Sequence, residues 1–324
     1  MEIGSFIEMQ FPRGNEYYTG DHIARLNSGR AGIYHAARCL GCHTVYLPYY
    51  QCETVGNFLK KKNINIIYYY INPDFSPKID SIEPESCMVI VNYYGIFGND
   101  RIKEIASRFK KVIIDNSQAF FSKPIEGAMN IYSARKFMGV PDGAYVIGNN
   151  ADKYSDEYNS DYSSDTSDFL LKRIEYGCEG KTYESRMKNE KRIDESDIKL
   201  MSKLTHTILD GTDYSLIKNK RRENYSTASM LFNDINLINP NMYYDDTCVP
   251  MVYPLVVERD DLLQKLLDAK HFQGHWWSYL LGELDQSKFE YWLSENIIPI
   301  TIDQRYGEEE IKFLYGLVCK EINK

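Results

Sequence analysis

The chain has 324 residues, 43% of them hydrophobic, and a formal net charge of −8. That length suits one large domain plus a smaller one, and the acidic balance disfavours nucleic acid, whose phosphates demand clustered Lys and Arg. No apolar run is long enough to span a bilayer. Met1–Phe6 lacks the basic-then-apolar order of a signal peptide. Seven scattered cysteines suit reduced thiols, so a cytoplasmic protein is expected rather than a disulfide framework.

From residue 27 to 150, short apolar runs alternate with longer mixed segments, the pattern of an α/β layer fold. Asn27-Ser28-Gly29-Arg30-Ala31-Gly32 precedes a helical pattern that runs through Leu40. Thr44–Leu47, Ile64–Tyr70, Met88–Val91 and Lys111–Ile114 read as strands, with helices over 53–62 and 99–110 between them. Ala128–Tyr132 and Ala144–Ile147 add two more strands. Near-continuous apolar strands imply burial on both faces, hence a mostly parallel sheet. Residues 152–168 are polar and read as loop, and 169–223 read as charged helices. A strand at Met251–Val257 and helices at 259–269, 285–295 and 307–322 complete a smaller C-terminal α/β unit. The expected division is 1–210 for the large domain and 211–324 for the small one.

In open α/β sheets, ligands gather at the carboxyl ends of the strands. Asp115 follows Val112-Ile113-Ile114 directly, so its carboxylate should emerge at that rim; an Asp there otherwise serves as a turn or cap. Ser133-Ala134-Arg135-Lys136 follows the next strand. A lysine amine, a strand-end carboxylate and a hydroxyl are the groups that hold pyridoxal phosphate: the amine as Schiff base, the carboxylate on the pyridinium nitrogen, the hydroxyl on the phosphate. Ser28-Gly29 opening a helix offers free backbone N–H groups and a positive dipole end to an anion, and equally suits an ordinary N-cap.

These pieces, in this order, resemble the sugar aminotransferases of the DegT/DnrJ/EryC1/StrS family, fold-type I pyridoxal phosphate enzymes. The likeness is carried by Ser28-Gly29, Val45-Tyr46-Leu47-Pro48, Tyr93-Tyr94-Gly95, Ile114 to Ala119, Ser133 to Lys136, Asp142-Gly143, Ile298-Pro299-Ile300 and Gln304-Arg305-Tyr306. The resemblance implies Lys136 as the Schiff-base lysine and proton shuttle, and Asp115 on the pyridine nitrogen. It implies Gln118 against the ring's phenolic oxygen, and Ser28, Gly29, Arg30 and Ser133 around the phosphate. It further implies a homodimer that takes an amino group from glutamate to a keto sugar, nucleotide-linked. The chain departs from the pattern at three places. Arg30 stands where the family has Thr; its guanidinium suits the phosphate, an anionic substrate or a neighbouring carboxylate. The position of the ring-stacking aromatic falls on Cys52, with Tyr50 as the nearby alternative. The family's Gly-x-Asn-Tyr-Arg segment, which enters the neighbouring subunit's site, is not recognisable between 170 and 205.

Rival readings are fewer. Ser-x-x-Lys also marks penicillin-binding proteins, but their Ser-Asp-Asn and Lys-Thr-Gly partners do not occur here. Cys39-Leu40-Gly41-Cys42 is a lone CxxC, better read as packing than as a zinc or redox site. Trp276-Trp277 reads as an anchor for the small domain. A lyase or dehydratase on the same cofactor, or an inactive member that binds cofactor or sugar, remain alternatives from the same residues.

Overall fold

The structure, a computed structural model, describes residues 3–259, 261–272 and 274–322. Its first part runs β1 (Ile23–Leu26), α1 (Gly29–Cys39), β2 (Thr44–Pro48), α2 (Glu53–Lys61), β3 (Asn65–Tyr69), β4 (Ser86–Val91), α3 (Asn99–Ala106), β5 (Val112–Asn116), β6 (Met129–Ser133) and β7 (Ala144–Ile147). The seven strands form one sheet in the order β1-β7-β6-β5-β4-β2-β3. β7 pairs antiparallel with β1 and β6, and every other pair is parallel.

The apolar runs account for this arrangement. β4 is buried along its whole length, as a strand covered on both faces must be. Alternate residues part into two cores. Val45, Leu47, Val89 and Ile113 meet Ile33, Ala36 and Leu59 of α1 and α2. Tyr46, Met88, Ile90 and Ile114 face the opposite side. Helix α1 lies close to the sheet because of Gly32. A Cβ there would sit 3.0 Å from Ile131 Cγ2 and 3.2 Å from Val146 Cγ2.

Helices α4 (Asp168–Tyr176), α5 (Lys181–Glu195), α6 (Lys203–Asp210) and α7 (Tyr214–Phe232) follow a polar stretch that holds two 3-10 turns. Then come β8 (Val252–Val256), α8 (Leu262–Asp268), α9 (Leu280–Glu283), α10 (Phe289–Asn296), β9 (Ile297–Thr301) and α11 (Glu308–Ile322). β8 and β9 pair antiparallel, and α7 packs on β8 and α11. The C-terminal apolar residues Tyr253, Leu255 and Ile300 join the same core as Met88 and Ile114. Trp276 stacks on Tyr94 with ring centroids 5.5 Å apart, and Trp277 meets Tyr50 edge-on at 4.2 Å. The tryptophan pair therefore anchors the C-terminal layer to the sheet, as its composition suggested.

The fold class expected from the sequence, a mostly parallel sheet flanked by helices, is the observed one. All six expected strands before residue 150 form, with ends shifted by a residue or two. α3 ends four residues short of the expected 110, because Ser107 closes it while Phe109 stays buried through a turn onto Ala106.

Candidate active site

The carboxyl ends of β4, β5 and β6 meet the N-terminus of α1 at one rim. Ser28 caps α1 with extended backbone (φ −155°), and its Oγ accepts from Ala31 N at 3.4 Å. The next residue has no side chain to fill the space. A Cβ on Gly29 would lie 3.1 Å from Ser117 Oγ and 4.0 Å from Ser133 Cβ. Ser28, Gly29, Ser117 and Ser133 thus border one small cup at the N-terminus of α1, the end at which a helix presents N–H groups without intrahelical partners.

Asp115 stands beside this cup, opposite Ile131 in the β5–β6 register. It is 6% exposed. Its Oδ1 accepts from Ser117 N and its Oδ2 from Gln51 Nε2, both at 2.9 Å. Three buried polar atoms nearby have no partner among the described residues: Gln51 Oε1, Asn92 Oδ1 and Asn116 Nδ2. Orphan polar atoms this deep mark a place for a ligand or water. Gln51 was not foreseen from the sequence. The one visible signal was a polar residue directly after Pro48-Tyr49-Tyr50, just past β2.

Gln118 braces the turn that follows β4. Its Oε1 accepts from Tyr94 N at 2.7 Å. Tyr94 (φ 59°) and Gly95 (φ 73°) both sit in the left-handed region, which costs a residue with a Cβ on the order of 1 kcal/mol or more. Gln118 and the Trp276 stack hold that turn.

Lys136 ends the 3-10 turn Ala134–Lys136 directly after β6. It is exposed and makes no hydrogen bond or ion pair among the described residues. Neighbours fix the turn beneath it. Ala134 N donates to Gly143 O (3.1 Å), Gly143 N to Asn27 O (3.0 Å) and Gln304 Nε2 to Phe137 O (2.8 Å). The lysine thereby shares a backbone tether with the cap of α1. Its side chain lines a cavity of about 830 Å3 together with Phe137, Arg221, Gln304, Arg305 and Tyr306. Burial pushes the Arg221 guanidinium down to about 10, against the pull of Asp303. Asp115 and Ser133 are not among the residues that line this cavity. The lysine backbone leaves Ser133 by one turn, roughly 6 Å at a 3-10 rise of about 2.0 Å per residue, within reach of its own four-carbon stem.

Arg30, Cys52 and Tyr50 are the remaining expected residues. Arg30 Nη1 donates to Asp194 Oδ1 at 2.6 Å and Nη2 to Ile193 O, so of the partners considered for it the carboxylate on α5 is the one present. Its backbone still belongs to the first turn of α1. Cys52 is exposed at the start of α2, with Sγ 3.1 Å from Thr54 Oγ1. Tyr50 is buried in the aromatic core, sharing a 2.8 Å hydrogen bond with Tyr94 OH. Burial holds both hydroxyls well above the usual tyrosine range.

The groups present fit the two ends of pyridoxal phosphate. The glycine-floored cup and its serines suit a phosphate, and each oxygen of Asp115 retains a lone pair for the ring nitrogen.

No family model matches the chain, and no curated protein matches it. Solved structures do. The chain is similar to the sugar aminotransferase CalS13 from Micromonospora echinospora, at 16% identity over 92% of this chain and 87% of that one, with a TM-score of 0.59. It is similar to NtdA from Bacillus subtilis with bound cofactor PMP, at 15% identity over 93% and 73%, with a TM-score of 0.62. It is also similar to a DegT DnrJ EryC1 StrS aminotransferase from Brucella abortus, at 13% identity over 93% and 86%, with a TM-score of 0.58. The chain has the fold of these enzymes.

Proposed function

We propose that the chain is a pyridoxal phosphate-dependent aminotransferase that moves an amino group from glutamate to a keto sugar, nucleotide-linked. The observation that carries this reading is the convergence of Asp115 and Ser133, on adjacent parallel strands, with Ser28 and Gly29, one turn before Lys136. The fold shared with sugar aminotransferases supports it.

Pyridoxal phosphate, when bound, supplies an aldehyde that condenses with amines and a ring that withdraws electrons from the neighbouring carbon. Ser28, Ser133 and the N-terminal amides of α1 would hold the phosphate, and Asp115 would pair with the ring nitrogen. Among the described residues Lys136 has no competing partner. Its amine would carry the covalent link and, once displaced, take the proton from the donor's α-carbon and return it to the acceptor. Phe137 and Gln304 line the cavity through which substrates would reach that amine. Exposed Leu171, Ile174 and Tyr183 on α4 and α5 support a homodimer, since apolar surface of this kind marks association. Seven free cysteines support a reducing cytoplasm.

A second reading, a member that binds cofactor or sugar without turnover, is favoured by one observation: Lys136 opens into a cavity that Asp115 does not line. One experiment separates the two. Borohydride added to protein loaded with pyridoxal phosphate should fix the cofactor on the peptide containing Lys136, and in a separate sample without borohydride glutamate should bleach the yellow colour. A yellow protein indifferent to glutamate and other amino acids supports the inactive reading. A protein that takes up no pyridoxal phosphate removes the enzyme and the cofactor-binding member, leaving only a member that binds sugar.

A further inference from the structure

We infer that Gln51 is a positioning residue for Asp115, and that its free amide oxygen accepts a hydrogen bond from the molecule bound there. This rests on the cofactor reading above. Gln51 lies just past β2 and is 4% exposed. Its Nε2 donates to Asp115 Oδ2 at 2.9 Å, while Ser117 N holds Oδ1 at the same distance. The carboxylate is therefore clamped at both oxygens and cannot rotate. Neither clamp carries a charge, and Asp115 makes no ion pair among the described residues, so its negative charge is left for a cationic partner. The other end of the amide is unspent. Gln51 Oε1 is buried without a partner. It shares a carbon with Nε2, so it lies beside the carboxylate. A protonated ring nitrogen or a ring hydroxyl is a donor that this oxygen can meet, and meeting it would remove the cost of burying an unpaired acceptor.

The test compares the wild type with Gln51→Met, which keeps length and bulk but neither donates nor accepts strongly, and with Gln51→Glu. The readouts are the dissociation constant for pyridoxal phosphate by fluorescence and the pH at which the visible band of the loaded protein changes. For Gln51→Met the dissociation constant should rise roughly ten-fold or more, and the pH midpoint of the band should move. For Gln51→Glu the ratio of its dissociation constant to that of the wild type should grow as the pH rises, because a second carboxylate beside Asp115 must be protonated to donate. Should Gln51→Met fold poorly, the pH trend of Gln51→Glu decides alone. Wild-type affinity and an unmoved band in both variants would overturn the inference and leave the cofactor reading intact. A wild type that binds no pyridoxal phosphate would overturn the reading itself.

Discussion

At Asp115 the side chain is 6% exposed and both carboxylate oxygens take a hydrogen bond. At Lys136, three residues past Ser133 on the neighbouring strand, the side chain is exposed and takes none. The contrast fits the roles proposed above for the two groups. A buried carboxylate is costly unless donors replace its water, and once they do, its position is set before any ligand arrives. An amine proposed to form and break a covalent bond gains nothing from such partners. The backbone under the lysine is nonetheless held, through Gly143 and Gln304. Order resides in the turn and freedom in the side chain.

Lys136→Ala should show the largest effect and isolate the free half of the contrast. Activity is expected to fall at least about 10^3-fold, the scale of a lost nucleophile and acid–base group. Stability should stay within about 0.5 kcal/mol, as for other exposed positions. Transamination assays and urea denaturation measure the two together. Wild-type turnover would end the assignment of Lys136.

Asp115→Ala attacks the ordered half and should cost on both scales. Losing one fixed charge from the site predicts a fall in kcat/KM of roughly 10^2–10^3-fold. It also strands the Gln51 amide and the Ser117 N–H, at about 1–3 kcal/mol. If Asp115→Ala were as harmless to the denaturation midpoint as Lys136→Ala, the contrast between a rigid rim and a free amine would fail.

Gly32→Val probes what places the cup. With Ile131 and Val146 already 3.0 and 3.2 Å from where a Cβ would sit, added methyls push α1 off the sheet. Overpacking of this kind costs about 1–3 kcal/mol. Ser28 and Gly29 move with the helix, so phosphate affinity should weaken alongside stability, by titration with inorganic phosphate.

How much of this was legible in the sequence follows from range. Asp115 and Ser133 could be placed because each ends an apolar run, and a parallel strand's end is the rim. The Ser28 cap of α1 and the glycine after it were legible from Ser28-Gly29 before a helical pattern. Gln51 was not, since its role depends on a contact 64 residues away across β2, β4 and β5. Nor could the sequence choose Arg30's partner, since Asp194 is 164 residues distant. β1 escaped notice because its four residues Ile-Ala-Arg-Leu make too short a pattern; its pairing with β7 creates the strand. The end of α10 was legible, one residue from the expected 295, but the five residues of β9, with Pro299 at their centre, make too short and broken a pattern to read as a strand.

The smallest expected effect lies away from both regions, at Glu16. This 9% exposed carboxylate accepts from Arg25 Nε at 2.7 Å and from His206 Nδ1, tying the N-terminal segment to β1 and α6. Burial works to raise its pKa, and the hydrogen bonds from His206 and Arg25 outweigh it, so the net shift is downward. A carboxyl with a lowered folded pKa contributes stability that is fully present above its unfolded value of about 4.3 and fades as pH falls through the folded value. Glu16→Gln should therefore lower stability at pH 7 by about 1 kcal/mol, and the gap to the wild type should close in acid, below about pH 4. Urea midpoints measured across that range test the sign directly. A gap that widened on acidification would mean that burial, not His206 and Arg25, governs the group. Labelling at Lys136 should be untouched at neutral pH, because the hydrogen bonds of Glu16 go to Arg25 and His206 and not to the lysine turn.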